Sequence, residues 1–236
     1  MTNTISESKS DSNVLAFLIL GTMLLQIILS AGLLMRINQV YRLAMDSPTN
    51  VLTREDNNVP NISPGNGPTL GAASAPITIV EFSDFSCSAC GQVQETLRQV
   101  RTRYDEEVQI GFRHFPRGGA GYPGYNAALA AACAAEQDAF WAMHDMLFEN
   151  APAFDRGSLR VYASRLDLDL EAFDICLDSA RAEAVVEQDI ADGRSYGVAA
   201  TPTFFISGRQ VVGSVSLTTF QREIEVALSE IARRDP

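Results

Sequence analysis

Apolar residues change their spacing along this chain, and each kind of spacing predicts a different structure. Residues 14–35 are apolar all around a helix and contain no charged side chain. Residues 45–75 have no apolar period and are rich in Pro, Asn, Ser and Gly, which is typical of a linker. From about residue 75, apolar runs of strand length alternate with helical periods, so the sequence predicts one α/β domain over 75–236.

The order of elements in this domain is strand, helix, strand, a helical segment, a hairpin and a closing helix. The predicted elements are a strand at 77–84, a helix at 88–104, a strand at 108–116, helices within about 120–196, two short strands at 201–213 and a helix at 217–234. The first strand is a β-branched apolar run, which is typical of a strand covered on both faces. This order predicts one domain and not two.

The apolar segment at 14–35 is long enough to cross a bilayer as a helix. A cleaved signal peptide is the alternative, but its small-residue cleavage site would fall at residues 30–32, inside the apolar run. A buried core helix is disfavoured because it would have no polar face for water. We therefore expect a tail at 1–13, a transmembrane anchor at 14–35, and a juxtamembrane segment with a flexible linker at 36–74.

Charge and cysteine content narrow the function. The net charge is −11, which argues against nucleic-acid binding because phosphate contacts need clustered Lys and Arg. Positive residues are nearly balanced around the apolar segment, so charge does not orient that segment in a membrane. The four cysteines, Cys87, Cys90, Cys133 and Cys176, fit two disulfides in an oxidising compartment or one zinc site in a reducing one.

Cys87 and Cys90 form a CxxC pair where the first strand passes into a helix. The backbone N–H groups at a helix start are unpaired and the helix dipole is positive there, so a thiolate at Cys87 is stabilised. Cys90 lies about one helical turn further along, on the same face. This placement predicts an attacking, exposed Cys87 and a buried, resolving Cys90, which are the roles that thiol–disulfide exchange requires.

Glu81 is a carboxylate within an apolar strand, on the same face as Ile77 and Ile79 by strand alternation. If it is buried, its pKa is raised, which suits it to pass protons to and from Cys90. The alternative is an edge-facing glutamate without a chemical role.

Pro202 follows Thr201 at the start of a predicted strand, where a trans proline is the ordinary expectation and a cis peptide bond is the alternative. The histidines are weak catalytic candidates. His114 falls in a strand and His144 in a helix packed with aromatic residues, so both fit structural or surface positions better.

Four stretches together resemble the DsbA-like thiol oxidoreductases of the thioredoxin superfamily. They are VEFSDFSCSAC at 80–90, FWAMHDMLF at 140–148, CLDS at 176–179 and GVAATPTFFISGR at 197–209. The resemblance extends from about residue 71 to the C-terminus. It implies a thioredoxin fold in which the helical segment at about 120–196 is an insertion.

By this resemblance, Cys87 matches the family's nucleophile, Cys90 its resolving cysteine, and Glu81 its buried acid with a role in proton transfer. Thr201 and Pro202 match the cis-proline loop that packs against the active-site disulfide and binds the substrate backbone. The resemblance implies no metal, and no cofactor other than the redox-active Cys87–Cys90 disulfide.

Some relatives of this kind carry a second, structural disulfide in the insertion, so the resemblance implies a bond between Cys133 and Cys176. Closing a loop of about 43 residues would stabilise the fold by about 4 kcal/mol in the chain-entropy account. Two free buried cysteines are an alternative. A zinc site made by all four cysteines is disfavoured because Cys133 and Cys176 are not a close pair.

The sequence departs from the family between the two active-site cysteines. Pro-His or Pro-Tyr is usual there, whereas this chain has Ser88-Ala89. A histidine at that place helps to stabilise the thiolate and makes the protein more oxidising. Its replacement leaves the direction of electron flow open.

We expect a membrane-anchored oxidoreductase whose catalytic domain is extracytoplasmic, because cytosolic thiols would keep the CxxC pair reduced. It would accept electrons from cysteines of secreted or cell-envelope proteins. The resemblance implies reoxidation by a membrane quinone-linked partner. An isomerase or reductase in the same compartment is the alternative. A metal-delivery or peptide-binding module is disfavoured, because copper carriers of that type need a CxxxC spacing.

Overall fold

The computed structural model describes residues 62–65 and 67–234, together with positions 21, 23, 26, 29–32 and 34–36. The chain divides into two compact units, Met1–Asn50 and Val51–Pro236. In the first unit the described positions are helical. Within the described part of the chain, no helix has both the length and the apolar character needed to cross a bilayer. Most of the predicted anchor at 14–35 lies outside the described residues, so it stays a prediction.

A five-stranded sheet forms the centre of the second unit. Its strands are β1 (Thr69–Leu70), β2 (Ile77–Ser83), β3 (Val108–His114), β4 (Thr203–Ile206) and β5 (Arg209–Val212), in the spatial order β1-β3-β2-β4-β5. β2 and β3 are parallel, and the other neighbours are antiparallel. A parallel pair needs a crossover connection, and the helix between β2 and β3 supplies it.

Helices cover both faces of the sheet. They are α1 (Ser88–Arg103), α2 (Pro123–Ala135), α3 (Phe140–Glu149), α4 (Arg156–Arg165), α5 (Leu170–Leu177), α6 (Ala180–Ser195) and α7 (Leu217–Arg234). The predicted helical insertion therefore consists of the separate helices α2 to α6. Two of these helices begin where they do for a local reason. The Asp155 and Asp169 side chains accept hydrogen bonds from backbone N–H groups at the starts of α4 and α5.

Alternate side chains of β2 enter different cores. Ile77 and Ile79 belong to a buried cluster with residues of α1 and α7, on one face of the sheet. Val80 and Phe82 belong to a cluster on the opposite face. Glu81 has the parity of Ile77 and Ile79, so strand alternation places this carboxylate on the face that α1 covers.

The helical insertion has its own core, which a disulfide crosses. Cys133 of α2 and Cys176 of α5 are bonded, with their Cα atoms 5.7 Å apart. Both cysteines are buried in a cluster that also contains Phe85 and Phe112. The bond therefore ties two helices that are separated by 43 residues in the chain.

Residues 62–65 and 67–74 differ from the sequence interpretation, which placed them in the flexible linker. Ile62 is buried, and β1 pairs with β3 at the sheet edge. Trp141 of α3 also donates its indole N–H to the Thr69 carbonyl, at 3.0 Å. A two-residue strand has no detectable period, and its pairing depends on a partner strand about 40 residues later in the chain, so composition alone could not reveal it.

Candidate active site

Cys87 lies at the N-terminus of α1, directly after the turn that follows β2. It is the N-cap residue, with φ −88° and ψ 117°, and its side chain makes no capping hydrogen bond. The first N–H groups of the helix are therefore available to the sulfur, and the helix dipole favours negative charge there. The side chain is partly exposed, so a partner sulfur can approach it.

Cys87 and Cys90 are free thiols with opposite pKa shifts. Burial raises the pKa of Cys87, but hydrogen bonds that the sulfur accepts from the Thr201 side chain and from Cys90 outweigh it, so the pKa of Cys87 lies below its usual value. Burial raises the pKa of Cys90, and the negative charge of Glu81 raises it further. Cys87 is therefore the better nucleophile, while Cys90 holds its proton until a base removes it.

Glu81 is positioned to be that base. Its carboxylate is buried, and burial raises its pKa to about 7, although the neighbouring Ser83 and Gln94 side chains lower it. The Gln94 amide donates to Glu81 Oε1 at 3.2 Å and to the Cys90 carbonyl at 3.0 Å. The Gln94 side chain thus connects the Glu81 carboxylate to the helical turn that carries Cys90. A carboxyl group with a pKa near 7 can both give and take a proton close to neutral pH.

The loop before β4 lies against Cys87. The Thr201–Pro202 peptide bond is cis, and the Cys87 thiol lies 3.5 Å from the Thr201 carbonyl oxygen, to which it donates. Thr203 Oγ1 donates to the Ala200 carbonyl at 2.7 Å, and the Pro202 carbonyl accepts the Gly213 N–H at 2.8 Å. These bonds hold the loop from both sides. The structure thus brings together all five residues that the sequence analysis named for catalysis and substrate binding.

A sequence profile described as thioredoxin matches residues 63–226, which include this site and all five strands of the sheet. The chain belongs to the thioredoxin family.

Two solved structures are similar to this chain in fold. BdbD from Bacillus subtilis, in its oxidised form, is 25% identical, with a TM-score of 0.63, and the match covers 69% of this chain and 93% of BdbD. The thiol-disulfide exchange protein alpha-DsbA2 from Wolbachia pipientis is 20% identical, with a TM-score of 0.60, and the match covers 67% and 86% of the two chains. This thioredoxin-family chain therefore has a DsbA-like fold, as the resemblance in sequence implied.

A similar region also occurs in a much longer protein. The Na(+)/H(+) antiporter NhaA 3 of Salinispora tropica is 34% identical over 173 residues, which is 73% of this chain and 26% of the antiporter. This thioredoxin-family chain thus spans about a quarter of the length of the curated relatives it matches.

Asp84 belongs to the site, although the sequence analysis did not single it out. Its buried carboxylate accepts the Ser86 N–H at 2.8 Å, the Arg117 N–H at 3.2 Å and the Tyr122 hydroxyl at 3.1 Å. Its own carbonyl accepts the Cys87 N–H at 2.9 Å. Asp84 therefore sets the turn from which α1 begins. A signal was available, because an aspartate two residues before a turn N–H is typical of an Asx turn.

The histidines lie beneath this thioredoxin-family site and not at its surface. His114 and His144 are buried among the rings of Phe85, Phe112 and Phe140. Burial lowers the pKa of His114 to about 3, and burial also lowers the pKa of His144. Both side chains are therefore neutral at pH 7, and neither can supply the cation that the usual Pro-His dipeptide would place beside the nucleophile.

Other features of the thioredoxin-family unit lie away from Cys87. A cavity of about 710 Å³ is lined by Arg113, Asp189 and Asp192, among others, and by neither active-site cysteine. Among the residues that the structure describes, no group of three or more His, Cys, Asp or Glu side chains is arranged to hold a metal ion.

Proposed function

We propose that this chain is a thiol–disulfide oxidoreductase that forms disulfides in other proteins through Cys87 and Cys90. The observation that carries the proposal is the placement of the two thiols at the start of α1, where Cys87 is partly exposed at the helix N-cap beside Thr201 and Cys90 is buried. Their opposite pKa shifts support the same assignment. A low pKa at Cys87 favours both attack by its thiolate and its departure as a leaving group. The DsbA-like fold supports the same class of reaction.

Substrate oxidation starts from the Cys87–Cys90 disulfide. A substrate thiolate attacks Cys87 Sγ, the bond between Cys87 and Cys90 breaks, and Cys90 leaves as a thiolate that takes the proton of Glu81. A second substrate thiolate then attacks the substrate sulfur of the mixed disulfide and releases the Cys87 thiolate. Two electrons pass from the substrate cysteines to the CxxC pair. The backbone at Thr201 and Pro202 would hold the substrate beside Cys87.

We further propose that the catalytic domain is extracytoplasmic and anchored to the cell membrane by residues 14–35. The Cys133–Cys176 disulfide supports an oxidising compartment. The similarity to part of an antiporter supports a place beside a membrane, since an antiporter transports ions across one. The proposed substrates are thiols of secreted or cell-envelope proteins, and the proposed electron acceptor is a membrane quinone-linked reoxidase.

The proposal is based on the dithiol and not on the antiport named for the curated relatives, because the chain spans only about a quarter of their length.

Variants of the two cysteines test the proposal. Cys90→Ser removes the group that resolves mixed disulfides, so this variant should accumulate covalent complexes with envelope proteins that a reductant releases. Cys87→Ser is the matched control, and it should form none and have no exchange activity. Failure of Cys90→Ser to form complexes would contradict the assignment of Cys87 as the nucleophile.

The direction of electron flow is tested in intact cells by alkylating the free thiols and measuring the redox state of Cys87 and Cys90. An oxidase should be found mainly as the disulfide. A fully reduced pair at steady state would refute the oxidase and favour the alternative, a reductase or isomerase.

A further inference from the structure

The loop that follows β3 lies against the turn that leads into Cys87. The Phe115 N–H donates to the Ser83 carbonyl at 2.7 Å, which continues the pairing of β3 with β2 beyond the strands. Next in the chain, the Arg117 N–H donates to the Asp84 carboxylate at 3.2 Å. The Asp84 carbonyl in turn accepts the Cys87 N–H at 2.9 Å. Arg117 is therefore connected to the nucleophile through a single residue.

Two glycines of this loop allow its close approach to the turn. A Cβ atom at Gly124 would overlap the Asp84 carboxylate, and a Cβ atom at Gly118 would lie 2.9 Å from the Tyr122 side chain. The Tyr122 hydroxyl donates to the same carboxylate at 3.1 Å. The glycine-rich loop is thus held on Asp84 both by its backbone and by Tyr122.

The guanidinium group of Arg117 is exposed, and Asp84 does not occupy its donors. The Arg117 side chain is 68% exposed, whereas the Asp84 side chain is fully buried. Arg117 Nε lies 3.7 Å from Asp84 Oδ2, which is beyond hydrogen-bond distance. The Ser86 N–H, the Arg117 N–H and the Tyr122 hydroxyl already donate to that carboxylate. The guanidinium donors are therefore available to a molecule that approaches from solvent.

The charge of Arg117 acts on the surface around the active-site sulfur. The Tyr122 side chain raises the pKa of Arg117, and the negative charges of Asp84 and Cys87 raise it further. Arg117 therefore remains a cation while Cys87 reacts as a thiolate. The N-terminus of α1 adds the positive end of its dipole at the same place. The surface around Cys87 is thus locally positive, in a chain whose net charge is −11.

The order of the strands places Arg117 and the cis-proline loop on opposite sides of Cys87. In the sheet, β2 lies between β3 and β4. Cys87 follows β2, Arg117 follows β3 and Thr201 precedes β4. All three lie at the same edge of the sheet, because β3 is parallel to β2 and β4 is antiparallel to it. A substrate whose cysteine meets Cys87 and whose backbone lies beside Thr201 therefore brings a neighbouring residue close to Arg117.

We propose that Arg117 is a specificity-determining residue that favours substrates with an Asp or Glu side chain next to the reactive cysteine. A guanidinium group matches a carboxylate in shape and can donate two parallel hydrogen bonds to it. The inference rests on the proposed function, because it names which substrate thiols this site oxidises.

The carboxylate contact accompanies the first step of substrate oxidation. While the substrate carboxylate binds Arg117, the substrate thiolate attacks Cys87 Sγ, and the bond between Cys87 and Cys90 breaks. A second substrate thiolate then attacks the substrate sulfur of the mixed disulfide and releases the Cys87 thiolate. The substrate loses two electrons and forms a disulfide, and the CxxC pair gains the two electrons.

Three peptides that differ only in charge test this preference. Each has capped ends and two cysteines that can join in an intramolecular disulfide, and the residues beside both cysteines are Glu, Gln or Lys. The oxidised full-length protein is mixed with each peptide in its dithiol form, quenched in acid, and analysed by mass spectrometry for oxidised peptide. Neighbouring charges also change the reactivity of the peptide thiols themselves. The ratio of the Glu-peptide rate to the Gln-peptide rate is therefore compared between wild type and variants, which cancels that effect.

The test variant is Arg117→Gln, which removes the charge at an exposed position. The matched control is Arg103→Gln, the same exchange at an exposed position in the last turn of α1. Because α1 has 16 residues, Arg103 lies about 24 Å from Cys87 along the helix axis. Circular dichroism and urea unfolding of the full chain verify that the variants are folded.

The Glu-to-Gln ratio should fall about threefold in Arg117→Gln, which is the effect of one exposed ion pair, and should stay at the wild-type value in Arg103→Gln. Arg117→Glu should shift the preference to the Lys peptide. A wild-type ratio in folded Arg117→Gln would overturn the inference, and so would an equal fall in Arg103→Gln. A wild-type protein that oxidises none of the three peptides would instead overturn the proposed function, and this inference with it.

Discussion

The buried carboxylate of Glu81 should lower the stability of the folded domain as pH rises, and Glu81→Gln should remove that loss. Burial raises the pKa of Glu81 from 4.5 to about 7. Between these two pH values the unfolded chain has released the proton while the folded domain still holds it. Stability contributed by the protonated carboxyl group is therefore complete below about pH 4.5 and is lost as pH rises through about 7.

The size of the effect follows from the same two values. Each pH unit between them corresponds to about 1.4 kcal/mol, so the contribution of Glu81 changes by about 3 kcal/mol in total. Glutamine keeps the shape and remains neutral at every pH. Relative to wild type, Glu81→Gln should therefore gain about 3 kcal/mol of unfolding free energy between about pH 4 and pH 8.5.

The assay is urea unfolding of the reduced protein at several pH values, followed by the fluorescence of Trp141, the only tryptophan in the sequence. Comparison with wild type at each pH cancels the contributions of the buried histidines. The matched control is Glu106→Gln, at an exposed position in the loop between α1 and β3, which should change stability by no more than about 0.5 kcal/mol. A difference between Glu81→Gln and wild type that stays constant with pH would refute the reasoning.

Two further predictions concern the framework around the site. The double variant Cys133→Ala, Cys176→Ala should lose up to about 4 kcal/mol of unfolding free energy, because the bond closes a loop of 43 residues. Thiol exchange at Cys87 should continue in this variant. A loss below about 1 kcal/mol, measured by urea unfolding, would contradict the prediction. Arg113 of β3 forms ion pairs with Asp189 and Asp192 of α6, so Arg113→Met should cost about 3–5 kcal/mol by leaving a buried charge unpaired. Adding Asp189→Asn should restore part of that loss, and a double variant no more stable than Arg113→Met would show that the pairing is not the cause.

Much of the thioredoxin-family fold could be predicted from the sequence because the deciding forces are local. The strands predicted at 77–84 and 108–116 are observed as β2 and β3, one or two residues shorter, because continuous apolar runs mark strands that are covered on both faces. The position of Cys87 at the start of α1 is equally local, since it follows from where strand periodicity gives way to helical periodicity. The order of the strands and helices could then be predicted, because each element was recognised from its own stretch of the chain.

The chemistry of the site was decided by contacts between distant parts of the chain. Cys87 meets the Thr201 carbonyl across 114 residues, and no local pattern records that contact. The pairing of β1 with β3 and the link from Gln94 to Glu81 likewise exist only after folding. Sequence alone therefore determined which residues carry thiol chemistry. The tertiary structure decided their pKa values, because desolvation and hydrogen bonding depend on what surrounds a group in space and not on its neighbours along the chain.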